Sequence, residues 1–202
     1  MNGFQIAANH YLDRRVGSFY NVPYTRMGNP GNPDYINDLK NTFNDFPKVT
    51  LDSATQQLRS VLEVDLPNIC QSLGYRSLVA CVVPRAKAEC EYSPDQQRFR
   101  STVQAIVRDA NVLIDGTHYL LRHTSTRTTH LDRKFSSNDA RDPYPGITEQ
   151  TCDISSQVQG KDILLVDDIY TPGVNIDEDA IQSLFNAGAR AVFFYAIGRV
   201  IR

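Results

Sequence analysis

The chain has 202 residues, of which 41% are hydrophobic and 22% charged, with a formal net charge of −2. That length suits one core, and the charge balance lacks the excess of lysine and arginine on which nonspecific nucleic-acid binding depends. No apolar run approaches the ~20 residues that cross a bilayer, and the opening Met1-Asn-Gly-Phe-Gln has no charged stretch followed by an apolar one, so a cytoplasmic protein without membrane partners is expected. Cys70, Cys81, Cys90 and Cys152 form no Cys-x-x-Cys pair and sit at no metal-ligand spacing with histidine, which argues against zinc and against a disulfide framework.

In chain order, residues 17–33 hold three Gly, three Pro and three Asn around Tyr20 and Tyr24, a composition that predicts loops packed by aromatics. Residues 52–74 predict a helix with Leu58, Val61 and Leu62 on one face, which Pro67 should kink or restart. Residues 77–84 are the first convincing core strand, with Cys81 inside it. The helix that follows is marked by Ser93 as N-cap, Pro94 as first residue and Gln96 as the reciprocal partner of a capping box, and by Phe99, Val103, Ile106 and Val107 on one face. Two strand candidates, 111–115 and 118–123, flank the turn-forming pair Asp115-Gly116. A long polar stretch, 124–160, then contains Arg127-Thr-Thr-His130, Arg133-Lys134 and Asn138. A connection of that length reads either as a lid or as a surface insertion.

The most informative segment is Lys161-Asp-Ile-Leu-Leu-Val-Asp-Asp-Ile-Tyr-Thr-Pro-Gly-Val-Asn175. Residues 163–166 are a continuous apolar run of the kind a parallel sheet buries on both faces, and the run ends in Asp167 and Asp168. Ligands of α/β proteins bind at such carboxyl ends. Residues 171–175 can turn backbone N–H groups toward an anion, with Gly173 allowing close approach and the next helix, 175–187, adding its positive end. Glu178 lies near the start of that helix, Ile181, Leu184 and Phe185 line its apolar face, and Gly188 stops it before a last strand at 191–197.

This segment resembles the diagnostic motif of the type I phosphoribosyltransferases: four apolar residues, two acids, two variable residues and a Thr-Thr-Gly-x-Thr-like loop. Pro172 stands where a second Thr is usual, and Asn175 replaces a terminal Thr while keeping a side chain able to cap the helix. The resemblance, strong at 162–175 and looser over 77–200, implies an α/β fold with a central, mainly parallel sheet flanked by helices. It implies one domain over 1–202, with 1–75 an irregular N-terminal cap or hood and 76–202 the core. It places Asp167 and Asp168 on the ribose hydroxyls of phosphoribosyl pyrophosphate (PRPP), with Ile169 and Tyr170 between them and the loop Thr171, Pro172, Gly173, Val174 and Asn175, which wraps the 5-phosphate. The turn Arg85, Ala86, Lys87 is placed on pyrophosphate, although the two basic side chains also suit a solvated strand end. The segment after 123 is placed as a closing loop, where Arg127-Thr128 is similar to the Arg-Thr start found in the amidophosphoribosyltransferase-like group, which makes Arg127 a third catalytic candidate. His130 reads more simply as a surface residue.

What the resemblance implies is transfer of phosphoribose from magnesium-bound PRPP to a nitrogenous acceptor such as a base, with magnesium carried by PRPP near Asp167 and Asp168. The expected partners are PRPP or a nucleotide and a homodimer or larger protein assembly. Without an N-terminal Cys or a preceding glutaminase-sized region, ammonia production from glutamine is not expected. Two further readings stay open on the same residues: a noncatalytic PRPP-binding regulator, and a nucleotide-consuming hydrolase or effector.

Overall fold

The computed structural model describes residues 1–40, 46–126 and 145–201. Eight strands and four helices order the described chain: β1 (Asn2–Ile6), β2 (Val16–Tyr24), α1 (Tyr35–Lys40), α2 (Lys48–Leu73), β3 (Leu78–Val82), α3 (Arg98–Asp109), β4 (Leu113–Asp115), β5 (Leu120–Arg122), β6 (Cys152–Ile154), β7 (Asp162–Tyr170), α4 (Ile176–Asn186) and β8 (Ala191–Val200). Six strands form one sheet in the order β1-β2-β8-β7-β3-β4, parallel throughout except for β1 against β2. The central sheet is mostly parallel and flanked by helices, as expected.

Period-two alternation sorts the core into two layers. Cys81, Ile163, Leu165, Phe194 and Ala196 point to one side and meet Ala180, Ile181 and Leu184 of α4. Ala80, Leu164, Val166, Tyr195 and Ile197 point to the other and meet Leu58, Leu62, Leu66 and Ile69 of α2, Val103 and Ile106 of α3, and Ile36 and Leu39 of α1. Across the second layer, buried Asp65 of α2 accepts hydrogen bonds from the Tyr195 hydroxyl (2.7 Å) and from Asn21 Nδ2 (2.9 Å), which ties the helix to β8 and β2.

Three sequence expectations change. The 17–33 stretch is not all loop, because its first part is β2, which lies parallel to β8 inside the sheet with Ser18 opposite Phe194. Pro67 does not restart a helix, since α2 continues through it. Proline removes the bond to the carbonyl four residues back, here that of Glu63 on the exposed side of the helix, while Leu62, Leu66 and Ile69 hold the buried side. Asp115-Gly116 does not close a hairpin: β4 pairs with β3, whereas β5 pairs with β6 in a separate two-stranded sheet. The capping box does form, with Gln96 Oε1 accepting from the Ser93 N–H (2.9 Å), but it caps a 3-10 turn at Asp95–Gln97 that leads into α3.

The chain leaves β3 for β4 on one side and later returns to β7 on the other. That reversal makes a crevice at the carboxyl ends of β3 and β7. Since β3 stops at Val82, opposite Val166, while β7 continues to Tyr170, Asp167 and Asp168 stand beyond the last β3 partner and border the crevice.

Candidate functional site

Alternation along β7 separates the two acids. Asp167 follows Ile163 and Leu165 toward the α4 layer, where its partner is Asp177 in the first turn of α4. Asp168 faces the opposite layer, where its Oδ1 lies 2.5 Å from Lys40 Nζ at the end of α1 and also accepts the Ile169 N–H (2.5 Å). Asp168 is not a solvated strand-end carboxylate, being 5% exposed; Asp167 beside it is half-buried, and Asp177 of α4 is buried. Three carboxyls and one ammonium thus converge from three elements.

Their electrostatics follow from burial. Desolvation first, and then the charge of Asp168, push the Asp167 carboxyl up to about 7. Asp177 is raised well above the usual carboxylate range by desolvation and by Asp167, to which it is hydrogen-bonded. Burial opposes the charge on Lys40, but Asp168 and Asp167 outweigh it and raise its pKa. For Asp167 the sign of the pH effect is direct: a native pKa above the ordinary 3.8 favours the fold at low pH, and that contribution disappears as pH rises from about 4 to about 7. Asp167→Asn is therefore expected to gain about 1–2 kcal/mol over the parent at pH 8 and little at pH 4. Urea unfolding of both proteins at the two pH values measures this, and an equal difference at both would exclude the strained carboxyl.

The loop after β7 is shaped as an anion cradle. Gly173 has φ 84° and Asn175 φ 67°, the one non-glycine residue with positive φ among those described. The Val174 N–H closes the turn onto the Thr171 carbonyl (3.2 Å), while the N–H groups of Gly173 and Asn175 have no protein acceptor among the described residues. Left-handed residues within a turn point successive N–H groups into one concavity. Asn175 does not cap α4 with its side chain, contrary to the sequence expectation, because an N-cap side chain reaches the next turn from extended backbone and not from a left-handed one. Its Nδ2 instead donates to the Gly173 carbonyl (3.3 Å), and its Oδ1 accepts from Asn9 (3.4 Å). Asp177, Glu178 and Asp179 fill the first turn and already complement the helix dipole, so the loop amides, more than the helix end, are what an anion would meet. Glu178 is buried and accepts from the Tyr170 hydroxyl (2.9 Å).

On the other wall of the crevice, the turn after β3 is tightly held. Arg85 donates to the carbonyls of Gln96 (2.6 Å) and Lys40 and lies over the Tyr92 ring at 4.7 Å. Buried Arg122 donates to the Arg85 carbonyl (2.6 Å), the Ala86 carbonyl accepts from Thr126, and the Lys87 N–H donates to the Tyr92 hydroxyl (2.9 Å). Arg85 thus braces the turn and the end of α1, and Lys87 is its remaining basic side chain. Arg127, His130, Arg133, Lys134 and Asn138 lie outside the described residues.

Sequence reasoning missed Lys40 and Asp177. Asp177 carried a signal, as the first of three consecutive acids at a helix start. Lys40 carried none, since no pattern links it to β7. Carboxylate oxygens suit magnesium chemically, yet no three acidic, cysteine or histidine side chains among the described residues are grouped to hold a metal ion. No helix among the described residues is long and apolar enough to cross a membrane. No family model and no curated protein matches the chain.

Proposed function

We propose that the chain binds PRPP in the crevice between β3 and β7 and transfers its phosphoribosyl group to a nitrogenous acceptor. The observation that carries this reading is the succession along one stretch of chain: Asp167 and Asp168 at the topological switch, then a turn with left-handed Gly173 and Asn175 whose amides face no protein acceptor among the described residues. Carboxylate acceptors at a strand end suit the hydroxyls of a sugar, and a nest of amides in the loop that follows suits a phosphate monoester.

In this reading the protein works by positioning. Asp167 and Asp168 accept hydrogen bonds from the ribose hydroxyls, Lys40 supplies the counter-charge beside Asp168, and residues 171–175 hold the 5-phosphate. The braced turn at 85–87 faces the pyrophosphate, where Lys87 and the backbone amides offset the charge that grows as the bond to the anomeric carbon breaks. Magnesium enters as part of the substrate, bound to PRPP. No covalent nucleophile on the protein is needed, because the acceptor nitrogen takes the anomeric carbon as pyrophosphate leaves. The acidic first turn of α4 and Pro172 favour a second reading, binding without turnover.

Pyrophosphate release from magnesium-PRPP, followed with and without a panel of purine and pyrimidine bases and amines, separates the readings. Release that requires an acceptor is the expected result. Release without one indicates hydrolysis, and saturable binding with no release indicates a regulator.

A further inference from the structure

Two hydrogen bonds between β7 and the first turn of α4 straddle the 171–175 loop. Tyr170, the residue before the loop, donates to buried Glu178 (2.9 Å), and Asp167 is hydrogen-bonded to buried Asp177. The second bond differs in kind. Ionised carboxyls only accept hydrogen bonds, so two carboxyls in hydrogen-bond contact need a proton between them. The surroundings decide which of them holds it. Lys40 of α1 and a backbone N–H at Asp168 favour the charge on Asp167, whereas Asp167, Glu178 and Asp168 all oppose a charge on Asp177. The amides at the start of α4 act the other way on Asp177, but only as partial charges. Asp177 Oδ1 is also enclosed without a hydrogen-bond partner among the described residues, which is costly for a carboxylate and much less so for a neutral acid. Desolvation and these neighbours accordingly raise Asp177 well above the carboxylate range, while Asp167 rises to about 7. Burial and Glu178 push the Tyr170 hydroxyl up as well, so the Tyr170–Glu178 bond keeps its proton.

We propose that Asp177 is a positioning residue of the crevice: as a neutral acid it donates its proton to Asp167, holding that carboxylate as an acceptor and α4 against β7 behind the 171–175 loop. Its role toward a ribose hydroxyl rests on the PRPP reading above, whereas its proton does not. The contribution is present at neutral pH and is lost as pH rises through the raised pKa of Asp177. Two buried anions then repel each other across the base of the loop.

Infrared difference spectra of the full chain, parent minus Asp177→Asn at pH 8, are expected to show the C=O stretch of a protonated carboxyl, since Asp167 has mostly ionised by that pH. Absence of the band would overturn the inference whether or not PRPP binds. In calorimetry at pH 7, Asp177→Asn, whose amide still donates, should match the parent's Kd for magnesium-PRPP, and Asp177→Ala should raise it about tenfold while staying folded. From pH 7 to pH 9 the parent should weaken relative to Asp177→Asn, because only the parent has this proton to lose; ionisation of PRPP itself affects both alike. Equal pH profiles, parental affinity in Asp177→Ala, or an Asp177→Asn protein as weak as Asp177→Ala would each overturn the positioning role. A parent that binds no PRPP would overturn the crevice reading instead, and the infrared band would still decide the proton.

Discussion

Replacing Asp167 and Asp168 together by asparagine is expected to raise the Kd for magnesium-PRPP at least 100-fold. Each acid is assigned a hydrogen bond from a ribose hydroxyl to a charged acceptor, worth ~1.5–3 kcal/mol when lost, so two together amount to two or more orders of magnitude. The fold should survive, because the stability changes oppose one another. Asp167→Asn removes a carboxyl whose pKa burial pushes up to about 7, whereas Asp168→Asn leaves Lys40 without its 2.5 Å partner. Adding Lys40→Met removes the counter-charge as well, and the triple variant should not regain affinity. Isothermal calorimetry on parent, double and triple variants makes the comparison, and parental affinity in the double variant would remove the ribose assignment altogether.

Gly173→Val should raise the same Kd by about 10–30-fold while lowering Tm by a few degrees. Space is not the obstacle inside the free protein, since a Cβ at Gly173 would meet nothing within 4 Å. The backbone is: φ of 84° costs a residue with a side chain ~1–2 kcal/mol, and more when it is β-branched. The loop then relaxes toward negative φ and turns the Gly173 N–H out of the nest, or it keeps its shape and sets two methyl groups where the phosphate approaches. Asparagine tolerates the left-handed region, so Gly173→Asn should retain most of the affinity. If valine and asparagine variants bind PRPP as the parent does, the 171–175 loop is no phosphate cradle.

The parts of the fold that could be read in the sequence are those where local and tertiary preferences agree. The apolar run of β7, the acids after it, α4 with its Gly188 stop and the Ser93/Gln96 box all needed only neighbours in sequence. β2 failed that condition: Gly17, Asn21 and Pro23 mark a loop, and only pairing with β8, near the far end of the described chain, overrides them. The candidate site divides the same way. Asp167, Asp168 and the Gly173 turn form one continuous stretch, but the pKa of Asp167 also depends on Asp177 and Lys40, which reach it only because alternate residues of β7 face α4 and α1.

The pairing of β2 with β8 also sets the order in which the molecule can be finished. Every other element between them in sequence is made first, so during synthesis the β2 strand emerges from the ribosome long before its parallel partner exists. Until residues 191–200 are available, β2 and the helix tied to it through Asn21 and Asp65 present an open strand edge and an apolar helix face to the cell. Pairings so distant in sequence form slowly, and exposed edges of this kind are what chaperones cover. Closure of the sheet, and with it the firm placement of Asn21 against Asp65, thus waits for the latest-made of its described strands.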